Sequence, residues 1–156
     1  MAITQIEKVI YTAKAHTVGG RDGGSSRTSD GRLDVKLTEP GRRGDGTNPE
    51  QLFAVGWSTC YLSAVHIVAA GMKVKLPPET AIDAEVDLGT AGGDYFIQVR
   101  LNVSLPGIDD DTARKVVDAA HQVCPYSKAT HGNINVVTTV STAGAGTRLE
   151  EAAAAV

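Results

Sequence analysis

Apolar and polar positions alternate along the first forty residues in the manner of β-strands. Residues 9–18 and 33–37 both place apolar side chains at every second position. This period of two is typical of a strand with one buried face. Glycine-rich segments at 19–24 and 29–31 supply turns on either side of a short central segment. The pattern therefore predicts an N-terminal antiparallel meander of three strands.

A long apolar segment follows a charged, glycine-rich loop. Residues 51–72 contain no Asp, Glu, Lys or Arg, and the segment is about as long as a membrane span. However, it contains Gln, Ser, Thr and His, and strand-like segments lie on both sides of it. Spans are usually more uniformly apolar, so we predict a buried core helix that does not cross a membrane.

The start of this helix has two possible caps. One is a capping box formed by Thr47 and Glu50. The other is Asn48 as the cap, with Pro49 at the first helical position. The helix is expected to end near Gly71, a residue type favoured at C-caps.

The second half of the chain combines a hairpin, a helix and a strand. Residues 82–88 and 95–105 alternate strictly around a glycine-rich turn. Acidic residues at 109–111 begin an amphipathic segment whose apolar positions recur every three or four residues. That helix is expected to stop at Pro125, and residues 134–140 alternate again as a last strand.

The predicted order is therefore three strands, helix, two strands, helix, strand. This order indicates an α+β fold with antiparallel sheets and two core helices. A length of 156 residues fits one ordinary domain. We predict a single domain over residues 1–142 and an Ala- and Gly-rich C-terminal tail over 143–156.

Charge and composition exclude several classes of protein. The formal charge is −3, and the lysines and arginines are scattered, so nucleic acid is not expected as a partner. The N-terminus has neither a basic start followed by an apolar run nor a small-residue cleavage site. We therefore expect a cytoplasmic protein with no membrane partner.

The chain has two cysteines, Cys60 and Cys124. Their separation excludes a C-x-x-C motif, and two thiols are too few for a cysteine-rich metal site. His121 lies close to Cys124 in sequence, but with His66 and His131 it matches no zinc spacing, so no metal is expected. A stable structural disulfide is disfavoured in a reducing compartment. The cysteines are either unrelated core thiols or one reactive pair.

Position alone favours an inert role for Cys60, which lies mid-helix on an apolar stripe. Cys124 directly precedes Pro125 at a predicted helix C-terminus, where the macrodipole opposes thiolate formation. If the two form a pair, Cys60 therefore attacks first and Cys124 resolves. A mid-helix thiolate needs a cation from elsewhere. Arg21 is the leading candidate, and the alternative is that it is a solvated loop tip. Glu50 has a sufficient structural role as a capping acid.

Several motifs in order resemble one known family, the organic hydroperoxide resistance branch of the Ohr/OsmC proteins. The resemblance covers about residues 11–140 and rests on GGRDG at 19–23, LDVKL at 33–37, TNPEQLFA at 47–54, the Cys60 helix, HQVCPYS at 121–127 and GNI at 132–134. Trp57 departs from the family pattern, and we expect it to alter the shape of the pocket that receives the peroxide.

The resemblance implies a role for each of four residues. Cys60 corresponds to the peroxidatic cysteine, Cys124 to the resolving cysteine, Arg21 to the arginine that stabilises the thiolate, and Glu50 to its carboxylate partner. It also implies an intertwined homodimer that reduces organic hydroperoxides and is regenerated by a dithiol or a lipoylated protein. No metal, haem or flavin cofactor is implied. The alternatives are a peroxide-responsive redox sensor, an osmotically inducible-type peroxidase of the same family, or a lipid-binding module with inert thiols.

Overall fold

A computed structural model describes residues 3–143 of the chain. The chain divides into two compact units, Met1–Pro49 and Glu50–Val156. The predicted single domain over residues 1–142 stays a prediction. The predicted tail, apart from Ala143, lies outside the described residues.

The first unit contains the predicted meander. Strands β1 (Ala15–Val18), β2 (Ser25–Thr28) and β3 (Asp34–Lys36) pair antiparallel in the order β1-β2-β3. β1 begins at Ala15, six residues later than the alternation predicted. Ala15 pairs with Thr28, the last residue of β2, and a strand continues only where its partner continues.

The long apolar segment forms helix α1 (Pro49–Gly71), so the proline takes the first helical position. The helix ends near the predicted residue, but the left-handed residue is Lys73 (φ 59) and not Gly71. The N–H of Val74 donates to the Ala69 carbonyl at 2.8 Å, which closes a Schellman motif. The C-cap geometry therefore uses a lysine where the sequence suggested a glycine.

One face of α1 is buried, and the opposite face is exposed and carries both apolar and polar residues. The buried residues are Trp57, Tyr61, Ala64, Val65 and Ala69. Val55 and Ile67 lie on the exposed side, with 65% and 62% of their surface accessible. By length and composition α1 could cross a membrane, a test that core helices of water-soluble proteins also pass. The buried face supports the prediction of a core helix.

The second unit contains a three-stranded sheet of β4 (Ala81–Ala91), β5 (Asp94–Ser104) and β6 (Asn135–Ser141). β4 and β5 form the predicted hairpin around Gly92 and Gly93, which both have positive φ as a two-residue turn requires. β5 and β6 are parallel. The prediction of purely antiparallel sheets is therefore wrong at β6. The chain between these strands is helical, and such a crossover returns the chain in the same direction.

Two helices connect β5 to β6. Helix α2 (Asp110–Val123) is capped by Asp109, whose carboxylate accepts the Thr112 N–H at 3.0 Å. A short helix α3 (Pro125–Thr130) follows after one residue. Pro125 therefore ends α2 as predicted and also begins α3. The predicted element order, with one helix between the last two strands, is therefore wrong, because proline stops one helix but is well suited to start the next.

The hydrophobic core of the second unit lies between α1, α2 and the sheet. Cys124 belongs to this core and is fully buried. Its other fully buried members with the largest side chains are Trp57, Tyr61, Leu101, Leu105, Val65, Val99, Val103 and Val116. The resulting packing of α1 against the region around Cys124 positions the candidate site.

Candidate active site

The two cysteines, sixty-four positions apart in sequence, are in contact in the structure. Their Sγ atoms lie 3.5 Å apart, and both are free thiols. Cys60 is partly buried on α1, whereas Cys124 is buried between α2 and α3. A disulfide needs an S–S distance of about 2.05 Å, so a small closing movement would join them. The arrangement favours a reactive pair over two unrelated thiols.

Cys124 lies at the elbow between two helices. Its backbone is extended, its N–H donates to the Ala120 carbonyl of α2, and its carbonyl accepts the Lys128 N–H of α3 at 3.0 Å. The negative end of α2 therefore meets the positive end of α3 at this residue. The prediction that Cys60 attacks first and Cys124 resolves stays a prediction.

The surroundings of Cys60 affect its ionisation in opposite directions. Burial raises the pKa of the Cys60 thiol, and the neighbouring Cys124 raises it further. The backbone N–H of Tyr126, in the first turn of α3, lowers it. The net effect is a raised pKa, so an attacking Cys60 thiolate requires stabilisation by a positive charge.

Aromatic side chains lie between α1 and α3 on the Cys60 side of the helix. Phe53 packs edge-on against Trp57 at 5.5 Å between ring centroids, and its ring lies 6.1 Å from that of Tyr126. Gly56 permits this approach, because a Cβ there would lie 2.9 Å from the Tyr126 hydroxyl oxygen. An apolar wall thus stands one to two helical turns before Cys60.

A chain of hydrogen bonds links the helices on either side of Cys124 to the helix that carries Cys60. The Trp57 Nε1–H donates to Ser127 Oγ at 3.2 Å. Ser127 Oγ and His121 Nδ1 lie 3.0 Å apart, and His121 Nε2 lies 3.0 Å from Thr138 Oγ1. The chain joins α1, α3, α2 and β6. From its sequence position, His121 was predicted only as a possible metal ligand, because its contacts with Ser127 and Thr138 have no local pattern along the chain.

The surroundings of His121 favour its neutral form. Burial lowers the pKa of its imidazole, while the nearby carboxylate of Asp118 opposes that shift. The ring stacks on Tyr61 with centroids 4.4 Å apart, and the Tyr61 hydroxyl donates to the Val117 carbonyl at 2.6 Å. A neutral imidazole can accept at one nitrogen and donate at the other, as its two partners require.

A cleft of about 430 Å³ lies beside the hydrogen-bond chain, and neither cysteine lines it. Its polar walls include His121, Ser127, Lys128, His131 and Thr138. Within residues 3–143, no three His, Cys, Asp or Glu side chains come together as a metal site. Trp57 is buried and lines this cleft, so its indole lies at the hydrogen-bond chain.

The other two predicted site residues lie in different units. Arg21 is partly buried in the turn between β1 and β2 of the first unit. This turn is tight, because a Cβ on Gly24 would lie 2.2 Å from the Gly20 carbonyl oxygen. Glu50 is partly buried in the first turn of α1. The roles of both residues stay predictions.

The family model and the relatives that match this chain point to the same family. The OsmC-like protein family matches residues 42–139. The chain is 50% identical to an organic hydroperoxide resistance protein of Xanthomonas axonopodis pv. citri, over 86% of this chain and 97% of that protein. The chain belongs to the organic hydroperoxide resistance branch of the OsmC-like family.

Solved structures of this branch have the same fold. The organic hydroperoxide resistance protein OhrB of Bacillus subtilis matches with a TM-score of 0.81 and 36% identity, over 85% of this chain and 100% of that one. The protein of the same description from Elizabethkingia anophelis matches with a TM-score of 0.80 and 39% identity, over 86% and 99%. Glu50, Cys60 and Cys124 fall within the segment that matches the family, and Arg21 precedes it.

Proposed function

We propose that the chain is a thiol-dependent peroxidase that reduces organic hydroperoxides to alcohols. Its relatives are named for organic hydroperoxide resistance, which supports a role of this chain in the same process. The observation that carries the enzymatic proposal is the 3.5 Å contact between Cys60 and Cys124. Two free thiols in contact can lose two electrons to an oxidant and form a disulfide.

The chemistry follows from the two sulfurs. The Cys60 thiolate attacks the terminal oxygen of the hydroperoxide, the O–O bond breaks, and the alkoxide leaves and takes a proton to become the alcohol. Cys60 is then a sulfenic acid. The Cys124 thiol condenses with it, so that an S–S bond forms and water leaves. An external dithiol returns two electrons and two protons and reopens the disulfide.

Arg21 and Glu50 complete the proposed site. The raised pKa of Cys60 calls for a cation, and a guanidinium can both favour the thiolate and donate to the peroxide oxygens. A carboxylate from Glu50 would orient the planar guanidinium through two parallel hydrogen bonds. These roles rest on the family resemblance and on the chemistry of the groups.

The proposed substrate is an alkyl or lipid hydroperoxide. The rings of Phe53 and Tyr126 form an apolar wall one to two helical turns before Cys60, and burial of a hydrocarbon tail there contributes about 25 cal/mol per Å². Hydrogen peroxide has no tail to bury. We propose a dithiol or lipoylated protein as reductant, no bound cofactor, and a cytoplasmic location.

We also propose a homodimer. The exposed face of α1 carries Val55 and Ile67, and the hairpin of β4 and β5 exposes Tyr95 and Phe96. Exposed apolar groups of this size favour burial against a partner. Light scattering should give the mass of two chains, and Ile67→Glu should shift the protein toward one. A wild-type mass of one chain at micromolar concentration would contradict the dimer.

The deciding experiment measures consumption of cumene hydroperoxide with excess dihydrolipoamide. Cys60→Ser should abolish turnover, and Cys124→Ser should allow one oxidation but slow turnover with the dithiol. Ser63→Ala is a matched control, because its hydroxyl only donates to the Thr59 carbonyl on the same helix. Full turnover by Cys60→Ser would contradict the proposal. A single oxidation of wild type without turnover would indicate a redox sensor.

A further inference from the structure

We propose that the hydrogen-bond chain Trp57–Ser127–His121–Thr138 positions Cys124 against Cys60, so that Ser127 and His121 are positioning residues for disulfide closure. The inference deepens the proposed function and rests on it. It concerns the second chemical step, in which Cys124 attacks the sulfur of Cys60, and it assigns a role to side chains that touch neither the peroxide nor the sulfurs.

Cys124 lies at the junction of two helices. It is the one residue between α2 and α3, so a small change of angle between these helices moves its sulfur directly. Its sulfur must approach Cys60 by about 1.5 Å to form the bond. A misplacement of about 1 Å in a reacting group can cost about a hundredfold in rate. The helix angle therefore needs to be controlled.

Ser127 connects α3 to both α1 and α2. Its side chain is 5% exposed, and its hydroxyl contacts Trp57 of α1 and His121 of α2. The indole N–H can only donate, so Ser127 Oγ accepts from Trp57 and can donate its own proton to His121 Nδ1. Both arms of the elbow and the helix that carries Cys60 thus meet at one hydroxyl.

Thr138 anchors the far end of the hydrogen-bond chain. With Nδ1 accepting, His121 carries its proton on Nε2 and donates it to Thr138 Oγ1 of β6. β6 is paired with β5 along seven residues, so Thr138 belongs to a rigid element. Each side chain in the hydrogen-bond chain then has a partner, and such a connected network favours one geometry.

Four variants test the role of the hydrogen-bond chain. Thr138→Val removes the hydroxyl and keeps the shape and strand preference, whereas Thr138→Ser keeps the hydroxyl. Ser127→Ala removes the central hydroxyl. Thr139→Val is the matched control. Thr139 is adjacent to Thr138 on β6, and its hydroxyl donates to Asn102, which is not part of the hydrogen-bond chain.

The experiment follows disulfide closure without a peroxide. Methyl methanethiosulfonate converts the Cys60 thiolate to a methyl mixed disulfide and releases methanesulfinate. Cys60 is partly exposed and Cys124 fully buried, so Cys60 is the thiol that reacts. Cys124 then attacks the Cys60 sulfur and releases methanethiol. Mass spectrometry after acid quenching and alkylation gives the rate of this second step.

We expect Ser127→Ala and Thr138→Val to close the disulfide about tenfold more slowly than wild type. Thr138→Ser and Thr139→Val should close at the wild-type rate, and the rate of the first methylthiolation should be unchanged in all four. Wild-type closure in Ser127→Ala and Thr138→Val would overturn the inference, as would equal slowing in Thr139→Val. If wild type closes its disulfide but consumes no hydroperoxide, the proposed function fails and the positioning role stands.

Discussion

The two units of the chain differ in how they hold the residues proposed for chemistry. Among the described residues of the second unit, fourteen buried residues form one hydrophobic core; Cys124 belongs to it and Cys60 packs against it. In the first unit, the side chains of β1 are exposed, and Arg21 is held in a tight turn between two four-residue strands. Packing therefore positions the sulfurs, whereas backbone geometry positions the arginine. Perturbations of packing and of turn geometry should separate these two kinds of support.

The largest effect is expected from a core truncation. Leu101→Ala, at a fully buried position of β5, should lower the free energy of unfolding by about 2–5 kcal/mol. Leu33→Ala, at a position 43% exposed in the first unit, should cost about 0.5 kcal/mol or less. Far-UV circular dichroism, to which both units contribute, follows the urea unfolding of each variant. If Leu101→Ala and Leu33→Ala shifted the urea midpoint equally, the two units would not differ in how much packing stabilises them.

Replacing the arginine should affect chemistry far more than stability. Arg21→Ala should slow the oxidation of Cys60 by an organic hydroperoxide by about a hundredfold, since it removes the proposed charge at the thiolate. Arg42→Ala is the matched control, because Arg42 pairs with Glu39 in the same unit. Stopped-flow oxidation rates and the unfolding midpoint should be measured together. An unchanged rate in Arg21→Ala would contradict its role.

The turn itself offers a smaller perturbation. Gly24→Ala places a Cβ 2.2 Å from the Gly20 carbonyl oxygen, so the backbone of the turn must shift. We expect about a tenfold loss of oxidation rate with Arg21 still present, because its proposed position at the thiolate would be disturbed. Gly89→Ala is the control, since a Cβ there meets nothing within 4 Å. If Gly24→Ala oxidises at the wild-type rate, turn geometry does not position Arg21.

The smallest effect is a pH dependence that arises from His121. Burial lowers its pKa in the folded chain, so below the unfolded value of about 6.5 the unfolded chain binds this proton more readily. The free energy of unfolding should therefore fall as the pH is lowered from 7 through that value toward the folded pKa. His121→Gln should flatten this slope in urea titrations, and His66→Gln, exposed on α1, should keep it. An identical slope in both variants would exclude His121 as its source.

Sequence patterns predicted most of the secondary structure but less of its arrangement. The hairpin of β4 and β5, the meander and the bounds of α1 and α2 follow from periodicity and turn residues. The parallel pairing of β6 and the separate helix α3 were not predicted. Pairing direction depends on how the intervening helices cross the sheet, and a six-residue helix is too short to show a period.

The candidate site divides in the same way. The sequence by itself determined which residues are chemically competent: two thiols, an arginine in a glycine-rich turn and a carboxylate at a helix start. Only the tertiary structure decided that Cys60 and Cys124 touch, and that Ser127 and His121 link the helices around them. Residue type sets what a side chain can do. Contacts between residues far apart in sequence arise only when α1, the α2–α3 elbow and β6 pack together, and this packing has no local pattern along the chain.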